Sequence, residues 1–219
     1  LMKAVVFDFD GLIIDTETVW YDSFKEVLGR FNVEFPLEIF LPCVGTKGTI
    51  IDQYIEESLG SKVSVQKIRQ LVREYHREKI ADIDMREGVH DYLTQAKELG
   101  LKIGLATSSD REWIDHFLKK LDLLHFFDVI KTGDDVKKVK PDPEVYLQCL
   151  DALKVRSNEV VAFEDSNNGA IAAKAAGVTC VIVPNPITAK LTFHDYDLRI
   201  ESMAGQSLID VINKSITIV

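Results

Sequence analysis

One interval constrains this chain more than any other feature. Between residues 16 and 84 no run reads as a strand, while on either side short apolar runs alternate with amphipathic stretches. Continuous apolar runs at 4–9, 101–106, 160–163 and 179–183, with a weaker one at 129–131, are read as strands of a buried sheet. Helical patterns separate them: 88–99 ends at Gly100, a helix opens at Asp142-Pro143, and 168–176 ends at Gly177. Such alternation predicts an α/β fold around a mostly parallel sheet. A crossover between parallel strands needs only about a dozen residues, so 16–84 is far too long for one. Within it Phe24, Val27, Leu28 and Phe31 share one helical face, and Ile68, Leu71, Val72 and Tyr75 share another. The expectation is a helical insertion folded as its own unit, with a core of 1–15 and 85–219 and a helical domain of 16–84. Beyond 185 the pattern is less regular, and 207–213 reads as a helix.

Composition removes several functional classes. Among 219 residues, 26 Lys+Arg stand against 35 Asp+Glu, for a net charge of −9. That balance argues against nucleic acid or an anionic membrane as partner, since both select basic surfaces. No apolar run reaches the ~20 residues of a membrane span. The first residues carry acids within their apolar stretch and no small-residue cleavage site, unlike a signal peptide. Cys43, Cys149 and Cys180 are odd in number and far apart, which fits reduced thiols and a cytoplasmic location. A monomer is expected.

The polar residues cluster where the apolar runs end. Asp8 and Asp10 close the first run, two apart and so on one face of a strand, followed by Gly11. Asp10-Gly11 alone would be an ordinary turn. Asp8, however, is an acid at the buried end of a strand, where an unpaired charge is costly. The second run ends in the hydroxyl cluster Thr107-Ser108-Ser109, at a helix start that suits an anion or a simple cap. The fourth ends in Glu164-Asp165-Ser166, again a candidate cap. Lys140, beside Lys137 and Lys138, reads by itself as a solvated lysine, but Pro141 restricts it to an extended conformation just before a helix. In open parallel sheets, ligands bind beyond the carboxyl ends of the strands. Four acids, a hydroxyl cluster and a lysine all fall there, which favours a shared site over independent caps.

The chemistry of that set is specific. Acids without His or Cys partners offer hard oxygen ligands that suit Mg²⁺ rather than Zn²⁺, and the five histidines show no metal-ligand spacing. A carboxylate can attack phosphorus and form an aspartyl phosphate. An anion approaching a phosphate dianion needs a divalent cation and a lysine to offset repulsion. A second carboxylate can protonate the leaving oxygen and later activate water.

With Asp8-Phe9-Asp10-Gly11, the strand ending in Thr107, Lys140-Pro141 and Glu164-Asp165-Ser166-Asn167-Asn168-Gly169 in this order, the chain resembles the haloacid dehalogenase-like hydrolases. The phrase Asp10-Gly11-Leu12-Ile13-Ile14-Asp15-Thr16-Glu17 and the insertion after it are similar to the branch holding β-phosphoglucomutases and small sugar-phosphate phosphatases. The resemblance implies a Rossmann-like, doubly wound core with a helical cap. It implies Asp8 as nucleophile and Mg²⁺ ligand, and Asp10 as general acid/base whose backbone carbonyl also binds Mg²⁺. Thr107 and Lys140 would hold the phosphoryl group, with Ser108 beside them, and Glu164 and Asp165 would complete the Mg²⁺ site.

The resemblance to the mutases is incomplete. Where they carry a cap histidine this chain has Trp20. Where they carry a cap arginine it has Thr46-Lys47-Gly48-Thr49. Where they carry a lysine after the hydroxyl cluster it has Asp110, then Arg111. Lys47 and Arg111 are equally well read as partial substitutes or as surface charge. Glu17 faces either the substrate or only its own helix dipole. Trp20 and Trp113 read as packing residues. The expected activity is a Mg²⁺-dependent phosphatase for a small phosphorylated metabolite such as a sugar phosphate. The alternatives are a β-phosphoglucomutase and, more distantly, a phospho-accepting receiver module, which needs neither Asp10 nor the insertion.

Overall fold

The computed structural model describes residues 1–44 and 49–217. Six strands form one sheet: β1 (Ala4–Phe7), β2 (Lys102–Ala106), β3 (Val129–Lys131), β4 (Val160–Glu164), β5 (Thr179–Ile182) and β6 (Leu198–Arg199). Their order is β3-β2-β1-β4-β5-β6, and all pairings are parallel. The chain winds one way from β1 to β3 and the other way from β4 to β6. The reversal lies between β1 and β4, the switch point at which doubly wound sheets open a crevice. Every residue of β1 and β4 is buried, which is why both read as unbroken apolar runs.

The described residues hold α1 (Thr16–Gly29), α2 (Leu37–Phe40), α3 (Thr49–Leu59), α4 (Val65–Ile80), α5 (Val89–Glu98), α6 (Arg111–Lys120), α7 (Glu144–Leu153), α8 (Asn167–Ala175) and α9 (Leu208–Thr217). None is long and apolar enough to cross a membrane. Local chemistry sets their ends. Asp15, Ser64, Asp110 and Ser166 accept backbone N–H bonds at the starts of α1, α4, α6 and α8.

Two compact units result. One joins residues 1–14, 84–184 and 192–219; the other joins 15–83 with 185–191. The sequence reading leaves 185–191 with the core. Here the segment groups with the helices, because Ile187 is buried in the cluster of Phe24, Val27, Leu28, Ile55, Ile68 and Val72. Phe31, Leu71 and Tyr75, expected on the same faces, pack against that cluster while half-buried. In the sheet unit, Phe7 stacks on Phe163 with centroids 5.1 Å apart. This pairs β1 with β4 on the face opposite Asp8. β6 escapes the sequence reading because two residues carry no periodicity.

Candidate active site

Residues 8–14 leave β1 in a tight loop. The ladder runs one residue past the strand, with Asp8 N donating to Phe163 O at 3.1 Å. Gly11 then adopts φ 83°, a conformation that strains any side chain, and its N–H donates to Ile14 O at 2.7 Å. Leu12, Ile13 and Ile14 are buried and anchor the loop. Arg86, which the sequence reading missed, fastens it further: its guanidinium donates to Gly11 O at 2.7 Å, Val183 O at 3.1 Å and Pro184 O at 2.7 Å. Three carbonyls from two distant loops leave no local signal in the sequence.

Lys140 is not solvated. Its Nζ donates to Asp8 Oδ1 at 2.6 Å, Glu164 Oε1 at 2.7 Å and Ala106 O at 2.7 Å. These bonds join the ends of β1, β2 and β4. Burial disfavours the ammonium, but Asp8 and Glu164 outweigh it and hold its pKa above the ordinary lysine range. Burial, followed by repulsion from Asp8, pushes the Glu164 carboxyl up, while Lys140 and Tyr146 oppose the rise. Tyr146, on α7, donates its hydroxyl to Glu164 Oε1 at 2.6 Å. Its own pKa is raised, first by burial and then by Glu164. Buried ion pairs are weak stabilisers because desolvation consumes most of their attraction. Concentrating them at a switch point is therefore better explained by chemistry than by folding.

The donor set fits a hard divalent cation. Oxygens of Asp8, Glu164 and Asp165 lie within 4.8 Å of one another, and all three residues are buried. Among the described residues Glu164 Oε2 is buried with no hydrogen-bond partner, an arrangement that invites a cation. The alternative reading of Glu164-Asp165 as a helix cap is not the one observed. Ser166 caps α8 by accepting from Gly169 N at 3.1 Å, leaving both acids to the cluster. Gly169 is needed for the same reason, since a Cβ there would land on the Glu164 carboxylate.

Asp10 lies two residues beyond Asp8, in the loop after β1, and its carboxylate has partners of its own. Ser109 Oγ donates to Asp10 Oδ2 at 2.5 Å, and Trp113 Nε1 donates to Asp10 Oδ1 at 2.9 Å. Trp113, read from the sequence as packing, is thus a polar contact of a candidate catalytic acid. Thr107 is buried, and its Oγ1 accepts from Ser109 N at 3.1 Å. Ser108 Oγ accepts from Lys140 N at 3.2 Å. Asp8, Thr107, Ser108, Lys140, Glu164 and Asp165 are thereby brought together. Arg111 is turned elsewhere, with its guanidinium donating to Ile130 O at 3.0 Å. Glu17 and Trp20 belong to the helical unit, where Trp20 stacks on His76 with centroids 3.6 Å apart. Lys47 lies outside the described residues.

Known proteins share this plan. The Bacillus subtilis strain 168 protein YhcW is 47% identical over 209 residues, covering 95% of each chain. The "Phosphorylated carbohydrates phosphatase" of Thermotoga maritima is 34% identical, covering 81% of this chain and 82% of that one. The crystal structure of CbbY from Rhodobacter sphaeroides in complex with phosphate is 27% identical with a TM-score of 0.73, covering 95% of this chain and 98% of that one. A family model of the haloacid dehalogenase-like hydrolases matches residues 5–183, and the chain belongs to that family.

Proposed function

We propose that this chain is a Mg²⁺-dependent phosphatase for a small phosphorylated metabolite of the sugar or polyol phosphate class, working through an aspartyl phosphate. The observation that carries the reading is Lys140, buried and bonded to both Asp8 and Glu164 beside Asp165. Related enzymes are named for such substrates, among them the Thermotoga maritima phosphatase and "Hexitol phosphatase B" of Escherichia coli K12, 32% identical over 188 residues.

In this reading an Asp8 oxygen attacks phosphorus while the bond to the leaving oxygen breaks. Asp10 supplies the proton that oxygen needs. Asp10 then takes a proton from water, which attacks the same phosphorus, breaks the bond to Asp8 and releases inorganic phosphate. Lys140 lowers the charge barrier from beside the nucleophile, and Thr107 and Ser108 line the phosphoryl position. Asp8, Asp165, Glu164 and the Asp10 carbonyl would hold Mg²⁺, which would supply positive charge to offset that of the phosphoryl oxygens.

Hydrolysis is favoured over mutase chemistry by Trp20, which has no acid–base function where the mutases carry histidine. Cys43, Cys149 and Cys180 are buried, in keeping with a cytoplasmic enzyme. Asp8→Asn should abolish release of p-nitrophenol from p-nitrophenyl phosphate in the presence of Mg²⁺. Retained turnover would sink the reading. β-Glucose 1-phosphate with a bisphosphate primer should yield inorganic phosphate, whereas glucose 6-phosphate as the product would identify a mutase.

A further inference from the structure

We propose that Trp113 and Ser109 are positioning residues that fix the Asp10 carboxylate for proton transfer; the inference rests on the acid/base role given to Asp10 above. Asp10 lies in a loop where the backbone alone does not set its side-chain torsions. Both its oxygens are held from one short element, by Ser109 Oγ at 2.5 Å and Trp113 Nε1 at 2.9 Å. That element is itself rigid. Asp110 Oδ1 accepts from Trp113 N at 2.8 Å and starts α6 at this residue. The Trp113 ring packs on Phe117 with centroids 4.6 Å apart, and Phe117 in turn meets Phe9, next to Asp10, at 6.5 Å. The direction of the indole N–H is therefore fixed by packing.

The donor types suit a group that must carry a proton in one step and lose it in the next. An indole N–H only donates, and a carboxyl oxygen accepts from it whether or not the acid is protonated. A serine hydroxyl donates or accepts, so it can follow the change. Trp113 thus holds the orientation in both states, and Ser109 adapts. Small misplacements of a catalytic group are expensive: about 1 Å can cost 10²-fold in rate.

Leaving-group dependence tests the proposal, because a merely structural role would not move it. p-Nitrophenolate departs without protonation, whereas phenolate, with a basicity like that of tyrosine at about 10, benefits from an acid. Trp113→Phe keeps an aromatic ring against Phe117 and removes the N–H donor together with part of the indole. It should lower kcat/KM for phenyl phosphate by about tenfold, a fraction of the 10²–10⁴ that general acid–base catalysis supplies. For p-nitrophenyl phosphate the loss should stay under about threefold. Equal losses on both substrates, or no loss on phenyl phosphate, would overturn the proposal. Should Trp113→Phe fail to fold, Ser109→Ala is put through the same comparison. Independently, the Trp113 indole N–H resonance of ¹⁵N-labelled protein should move in Asp10→Ala, and an unmoved resonance rejects the contact. Asp8→Asn separates the two readings. Activity surviving that change defeats the phosphatase reading, while a dead Asp8→Asn with unaltered leaving-group dependence in Trp113→Phe defeats only the positioning role.

Discussion

Lys140 Nζ lies 2.6 Å from Asp8 Oδ1, with both side chains buried. Removing the cation strands two buried carboxylates, Asp8 and Glu164, with no positive neighbour among their described bonds. Lys140→Met should therefore lower unfolding stability by about 3–5 kcal/mol, the range for breaking a buried pair from one side. Urea denaturation monitored by circular dichroism measures this. An unchanged midpoint would mean that the charges are not coupled in solution.

The acid trio predicts a stability effect of Mg²⁺ that needs no assay of turnover. A ligand that binds only the folded chain stabilises it by about 2.7 kcal/mol at a hundredfold excess over Kd. Tm should rise with Mg²⁺ and fall back on chelation. Asp165→Asn, which keeps the shape and removes a charge, should flatten the response. A Tm indifferent to Mg²⁺ in the unsubstituted chain would count against the cation site.

Gly169 gives a prediction whose sign is informative. Within a helix, Gly→Ala ordinarily stabilises by up to about 1 kcal/mol. In α8 the added Cβ would collide with the buried Glu164 carboxylate. Gly169→Ala should instead destabilise by about 1–3 kcal/mol, the usual cost of overpacking. It should also reduce turnover, since Glu164 must move off Lys140. A stabilised variant would show that the carboxylate yields freely.

His76 predicts a pH dependence confined to a stated window. Burial lowers its imidazole from 6.5 to about 4. Above pH 6.5 both folded and unfolded chains carry it neutral, and its stabilising contribution is fully present. Between 6.5 and about 4 the unfolded chain takes up a proton that the folded chain refuses. Stability is lost as pH falls through that range, at no more than about 1.4 kcal/mol per pH unit for one proton. Thermal melts of the unsubstituted chain and of His76→Phe should diverge across this window and run parallel above it. Parallel curves throughout would refute the assignment.

Much of the architecture is legible along the chain because buried parallel strands must be continuous apolar runs. The runs at 4–9, 101–106, 129–131, 160–163 and 179–183 correspond to β1–β5, with ends shifted by up to two residues. The acids are legible for a related reason: Asp8, Glu164 and Asp165 interrupt or terminate apolar runs, where charge is costly without a purpose. Less visible were partners recruited from afar. Trp113 lies 103 residues from Asp10, and Arg86 lies 75 from Gly11 and 98 from Pro184. An indole in an amphipathic helix looks the same in sequence whether it only packs or also donates. Segment 185–191 groups with the helices for a similar reason, since Ile187 packs among residues far from it in the chain.

Periodicity and spacing thus carry the local choices: which segments are strands, where the helical insertion falls, and which strand ends bear acids, hydroxyls and the lysine. Those choices follow from burial within a few residues of each position. The pairing of functional groups does not. Lys140 reaches Asp8, Ala106 and Glu164 because the order β3-β2-β1-β4-β5-β6 puts β1 between β2 and β4. Asp10 meets Ser109 and Trp113 because the fold brings the start of α6 and the residues just before it to the loop after β1. Hydrogen bonds have a short reach, so contacts between residues distant in the chain exist only once packing has brought their strands and helices side by side.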